Sequence, residues 1–195
     1  QLAYVEMLGI EPIIVINKID LQDCYKEIQE LYTNIGYKTF LGCSGLTNVS
    51  IGSNVVSIAA NAFEGCDKIT SIVIPDNVTN IYERAFNACS GIASITLGSG
   101  VTNIGHDAFA NTTALKDLII KDGAGVLSLD KLVFNVSSLE NLYLGRDLSY
   151  TTLPFLDCKT LSTLTIGDSV TNIGYRMFYG CTALTNVNIP GNVKI

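Results

Sequence analysis

Residues 63–85 read FEGCDKITSIVIPDNVTNIYERA, and residues 86–108 continue as FNACSGIASITLGSGVTNIGHDA. Aligned on their first residue, the two segments match at eight apolar positions: Phe63/Phe86, Cys66/Cys89, Ile69/Ile92, Ile72/Ile95, Ile74/Leu97, Val78/Val101, Ile81/Ile104 and Ala85/Ala108. The register extends outward to Phe40, Cys43, Leu46, Val49, Ile51, Val55, Ile58 and Ala62, and forward to Phe155, Cys158, Leu161, Leu164, Ile166, Val170, Ile173 and Met177. It starts again at Phe178, Cys181, Leu184, Val187 and Ile189. Phenylalanine stands at 40, 63, 86, 109, 134, 155 and 178, at intervals of 23, 23, 23, 25, 21 and 23 residues. A fixed period of this length marks stacked coils, each burying its apolar face against the next.

Within each unit the pairs Val49/Ile51, Ile72/Ile74, Ile95/Leu97 and Leu164/Ile166 alternate with polar or mixed residues, the period of a strand with one buried face. Gly52, Pro75, Gly98, Gly145, Gly167 and Pro190 follow at once and limit each strand to about four residues. Stacked copies predict a solenoid of right-handed coils joined by parallel strands. A second short extended segment carries Val55 and Ile58 back along the other side, and the run ending in Ala-Phe predicts one compact turn of helix. Cys43, Cys66, Cys89, Cys158 and Cys181 share one position, where Thr112 and Ser137 stand in the irregular units. Small hydroxyl residues in the same place point to buried core thiols; a disulfide framework between coils about 5 Å apart is the alternative.

Two units break the rhythm. In the fourth, two extra residues around Lys121–Gly125 precede Val126 and Leu129, so its turn should bulge outward. In the fifth, Leu139, Leu142 and Leu144 come one place early, and Tyr150, Leu153 and Pro154 lead to Phe155.

Composition narrows the function. With 195 residues, 48% of them hydrophobic, the chain is long enough to bury a core. Twelve basic against eighteen acidic residues disfavour nucleic acid or an anionic membrane as partner, and no apolar run reaches the ~18 residues of a membrane span. Gln1 opens no signal-like segment and Ile195 falls in mid-unit, which suggests a removed leader or a piece of a longer chain. His106, the only histidine, falls in a turn beside Asp107, and no pattern brings a serine to it. Asp122, Asp147, Asp157 and Asp168 are scattered across loops without a calcium-loop spacing, and no Cys/His cluster suits zinc. No catalytic residue, metal or cofactor is therefore expected. The sheet surface offers a better candidate: one column runs Ser50, Val73, Thr96, Ile119, Tyr143, Thr165 and Asn188, with Ser71, Ser94, Asp117, Asn141 and Thr163 in the column beside it. Val73, Thr96, Ile119, Tyr143 and Thr165 are the expected binding surface, since exposed Tyr and Ile form contact patches, although such residues also suit sheet surfaces in general.

The Ala-Phe-x-x-Cys step and the Ile-Pro-x-x-Val-x-x-Ile step, as in Phe63-Glu64-Gly65-Cys66 and Ile74-Pro75-Asp76-Asn77-Val78-Thr79-Asn80-Ile81, resemble the BspA-like (Treponema pallidum type) leucine-rich repeat over residues 40–195. The resemblance implies six full units and a truncated seventh, no catalytic residues, and a bacterial or protist protein that is secreted or displayed on the cell surface, often as an adhesin. The expected function is a monomeric, protein-binding or adhesive module recognising a protein or cell-surface ligand. A structural spacer within a longer surface protein is the second reading.

Residues 1–39 lack the period. Ile13-Ile14-Val15-Ile16 reads as a strand and Leu21 to Ile35 as an amphipathic helix, a βα segment acting as a cap over Phe40, Leu46 and Ile51, or a fusion remnant. Asn17-Lys18-Ile19-Asp20 after that strand resembles the guanine-specificity motif of the permuted ribosome-assembly GTPase family typified by RsgA, the similarity running over residues 3–39. It implies Asn17, Lys18 and Asp20 as vestigial guanine-binding residues, a third reading. No phosphate loop of the form GxxxxGK[ST] occurs in the sequence.

Overall fold

The alternation of buried and exposed residues builds two short strands in each of the second to fifth coils, as the second extended segment expected from the sequence requires. The structure, a computed structural model, describes residues 40, 42–134 and 137–194. Ten strands follow in order: β1 (Ser57–Ile58), β2 (Ser71–Val73), β3 (Asn80–Ile81), β4 (Ser94–Leu97), β5 (Asn103–Ile104), β6 (Asp117–Ile120), β7 (Leu127–Leu129), β8 (Asn141–Leu144), β9 (Leu148–Tyr150) and β10 (Thr163–Ile166). The even-numbered strands form one parallel sheet in the order β10-β8-β6-β4-β2, and the odd-numbered strands form a second in the order β1-β3-β5-β7-β9. The second to fifth coils thus contribute a strand to each wall, and inward residues such as Ile72, Ile95, Leu118 and Leu142 stack in register between them.

The phenylalanines form a third wall. Neighbouring rings lie 5.5, 5.0, 5.1, 5.6, 6.5 and 5.5 Å apart from Phe40 to Phe178, with planes inclined by no more than 15°. At these separations the rings are offset rather than face to face, an arrangement worth about 0.5–1.5 kcal/mol per pair beyond area burial. The widest gap, 6.5 Å between Phe134 and Phe155, spans the shortest sequence interval. Five cysteines line the core beside the ladder. Cys66 and Cys89 donate their thiols to the carbonyls of Phe40 and Phe63 at 2.9 Å, and Cys181 donates to Phe155 at 3.2 Å. Thr112 also donates to a phenylalanine carbonyl, that of Phe109 in its own coil at 2.8 Å rather than in the coil before, so a buried hydroxyl is satisfied at this position. Burial pushes the Cys89 thiol up to about 12, so it is a core group and not a nucleophile at neutral pH.

Four expectations are corrected. No helical turn precedes the phenylalanines among the described residues. Left-handed residues stand on either side of each Ala-Phe step, for example Arg84 (φ 55°) and Ala88 (φ 58°) around Phe86, and an α-helix does not accommodate such residues four apart. In the first unit Val49 and Ile51 form no strand; Ile51 makes only an isolated bridge. Val126 does not enter the core: β7 alternates with Leu127 and Leu129 inward, so Val126 faces solvent. Val187 and Ile189 occupy core positions of the register but are exposed, because among the described residues no further coil stacks on the seventh.

Candidate functional site

Parallel pairing turns one position of the repeat into a continuous surface column. Val73 pairs with Thr96, Thr96 with Ile119, Ile119 with Tyr143, Tyr143 with Thr165, and Thr165 with Asn188. All five residues expected at the binding surface are therefore brought together across β2, β4, β6, β8 and β10. Val73 is 58% and Ile119 40% exposed, and Thr165 is exposed, whereas Thr96 and Tyr143 are half-buried. The neighbouring column runs Ser71, Ser94, Asp117, Asn141 and Thr163, with Asn141 donating to Asp117 at 2.7 Å. Beside it Lys116 pairs with Glu140 at 2.8 Å. The face is thus a mixed apolar and threonine column bordered by polar residues, of which Asp117 and Asn141 pair with each other.

Tyr143 is held rather than free. Its hydroxyl donates to Asp122 Oδ2 at 2.6 Å, and this bond, with some desolvation, pushes the phenol up to about 12. Space for the hydroxyl exists because the next coil has Gly167, where a β-carbon would lie 2.8 Å from it. Asp122 stands two residues after β6, in the turn of the fourth coil, at the place that Asp76 and Ser99 hold in the two coils before.

That turn depends on Arg146, whose importance the sequence reading missed. In the second and seventh coils an asparagine ties the turn to the coil before it: Asn77 donates to the Val55 carbonyl, and Asn192 donates to Asp168 and Val170 at 2.9 and 2.7 Å. The fourth coil has Gly123 at that position and no side chain to offer. Arg146 reaches instead from the fifth coil to the third, donating to Gly98 at 2.6 Å, Ser99 at 2.9 Å and Val101 at 2.8 Å. Its buried guanidinium lies against Gly123, in space that a side chain at that position would need. The available signal was an arginine where other coils carry Asp76, Ser99 or Asp168.

Other sequence candidates are dispersed. His106 faces Asp107 at 3.2 Å on an exposed turn. Asp147 accepts from the Thr171 amide at 2.7 Å, the Thr171 hydroxyl at 2.5 Å and the Asn172 amide at 2.9 Å, a role in joining coils. Among the described residues no group of three His, Cys, Asp or Glu side chains is arranged to hold a metal ion. No helix among them is long and apolar enough to cross a membrane. Asn17, Lys18 and Asp20, with the whole N-terminal segment, lie outside the described residues.

Stacked coils with one continuous, uncovered sheet face define a leucine-rich repeat solenoid, a class that commonly binds proteins through such faces. A family described as BspA type leucine rich repeat region, in six copies, matches residues 17–140 and 123–195, and the chain belongs to that family. Its fold is similar to that of the T. pallidum leucine rich repeat protein in its crystal structure, with 28% identity, a TM-score of 0.55, and coverage of 71% of this chain and 64% of that one. A leucine-rich repeat protein from Bacteroides ovatus ATCC 8483 matches with 20% identity and a TM-score of 0.41, covering 80% of this chain and 57% of that one. The chain spans less than two thirds of the length of either protein. Among curated proteins, none matches it.

Proposed function

We propose that residues 40–195 form a non-catalytic, monomeric adhesive module of a cell-surface or secreted protein, with residues 1–39 as a separate N-terminal segment. The observation that carries this reading is the in-register column Val73-Thr96-Ile119-Tyr143-Thr165, which leaves Val73 and Ile119 exposed on the sheet. Two solvated aliphatic side chains and a pinned tyrosine favour burial against a protein surface, and the pinned ring loses little entropy on binding. Membership of the BspA type family supports a ligand outside the cell. The test is adhesion of the purified chain to a panel of immobilised extracellular-matrix proteins and to intact cells. V73S combined with I119S should weaken the best-bound target about tenfold, the scale of one contact hot spot, while circular dichroism stays unchanged. Undiminished adhesion of the double variant to every target would remove this face from the function.

A further inference from the structure

Charges around the sheet column are unevenly matched. The cations beside it are already engaged: Lys121 pairs with Asp76 at 3.1 Å, Lys116 pairs with Glu140 at 2.8 Å, and the buried Arg146 donates to the carbonyls of Gly98, Ser99 and Val101. Asp117, Asp122 and Asp168 take part in no ion pair among the described residues. Asp117 accepts from the neutral amide of Asn141, and Asp122 from the phenol of Tyr143. Their negative charges are left for something outside the chain.

These three acids bracket the apolar part of the face. Asp117 stands two residues before Ile119 in β6, so their Cα atoms are about 7 Å apart. On the other side the Tyr143 ring leans from β8 toward the sixth coil, where a β-carbon on Gly167 would lie 2.8 Å from its hydroxyl and 2.5 Å from Asp122 Oδ1. Asp168, exposed and next in the chain, adds a second carboxylate at this end. After the Asp122 bond, desolvation and the Asp122 charge, the Asp168 charge also acts to raise the phenol. Coils four to six carry all of these groups, and each has a described coil on either side. An exposed isoleucine and a half-buried ring between carboxylates without cations suit one kind of side chain. Arginine lays an aliphatic stem on apolar surface, stacks a planar guanidinium on an aromatic ring, and meets carboxylates with its N–H edge. An acidic partner would instead meet like charge here.

We propose that the sheet face at Ile119 and Tyr143 docks an arginine side chain of a protein partner, its stem on these two residues and its guanidinium met by Asp122 and Asp168. This partner chemistry rests on the column being the binding face, as proposed above. Asp117 extends the negative border to the far side of Ile119 and disfavours an acidic neighbour on the partner.

The test uses the whole chain at low salt with two blocked tripeptides, Ac-Val-Arg-Val-NH2 and its uncharged analogue Ac-Val-Gln-Val-NH2, followed by NMR of the Tyr143 ring and Ile119 methyl signals. The arginine peptide should shift both saturably, and the glutamine peptide should bind about fivefold more weakly. D122N keeps an acceptor for the Tyr143 hydroxyl, and combined with D168N it should lower affinity for the arginine peptide about fivefold. D168N alone, at an exposed position, should lower it in the same direction and serves if the double variant fails to fold. D130N removes a carboxylate just after β7 on the opposite sheet and should leave the affinity unchanged. Equal binding of the two peptides, absence of any shift at Tyr143, full affinity in the folded variants, or an equal loss in D130N would overturn the proposal. In the adhesion assay, a loss with V73S/I119S but not with D122N/D168N would overturn the arginine alone, whereas no loss with either would overturn the face as well.

Discussion

Ala88 occupies a position that the repeat otherwise reserves for residues tolerant of left-handed backbone. Equivalent places hold Gly42, Gly65, Asn111, Asp157 and Gly180, all with positive φ, and Ala88 adopts φ 58° without their advantages. A β-carbon in this region costs about 1–2 kcal/mol. A88G should therefore raise the stability to urea by about 1 kcal/mol, although glycine is usually destabilising. Arg146 shows the opposite case, a side chain on which a turn depends. R146M keeps much of the buried stem and removes the donors to Gly98, Ser99 and Val101. Removing these three bonds, with Gly98 alone keeping a second donor in the Val101 amide, should cost about 3 kcal/mol, read as a lower urea midpoint and as faster proteolysis within residues 121–126. Neither effect is visible to a register that counts only apolar positions. Ala88 conforms to the pattern of small residues, and Arg146 acts on carbonyls 45–48 residues away.

At the scale of the element, the turns join coils through side chains as well as through sheet ladders. Asp147 links the fifth coil to the sixth through Thr171 and Asn172. Partial burial raises its pKa, but the bonds from Thr171 and Asn172 outweigh this and hold the carboxyl below its ordinary 3.8. Asp76 is also lowered, by the Ser99 amide first and then by Lys121. A depressed folded-state pKa means that unfolding takes up protons in acid. The stabilisation from these groups is complete above pH 3.8 and is lost as pH falls through the folded values below it. Thermal unfolding measured between pH 5 and 2 should show this loss, and D147N should show less of it. The strands themselves were legible, since Ile72/Ile74, Ile95/Leu97 and Leu164/Ile166 carry their burial in their alternation. The turn before each phenylalanine was not. Its small and polar residues suit a helical turn locally, and only the pairing of one coil with the next, such as Arg84 N–H to His106 C=O at 3.0 Å, selects the left-handed corners.

Across the whole molecule, contacts run between neighbouring coils, so stability is a sum of coil and junction contributions. The weakest junction should lie between the fifth and sixth coils, where the phenylalanine rings are 6.5 Å apart and β9 is nowhere fully buried. Hydrogen exchange should release the amides of Leu148–Tyr150 before those of Ser94–Leu97 and Asp117–Ile120. F86A, in the best-stacked part of the ladder, should cost about 3–5 kcal/mol and affect the third coil and both its neighbours. The capping role proposed for residues 1–39 predicts that deleting residues 1–38 lowers both solubility and melting temperature. By itself the sequence determined the period, the inward residues of the regular coils, the parallel stacking and the family, because burial in a solenoid repeats at constant spacing and leaves its mark on each regular unit. Tertiary structure alone decided how the irregular coils are held: Leu127 rather than Val126 turned inward, Arg146 reached across a coil, and Tyr143 was tied to Asp122. It also decided that Arg84 finds its acid at Glu64 while Arg176 finds tyrosines. These are contacts between residues far apart in the chain, and only the stacking of coils sets their distances.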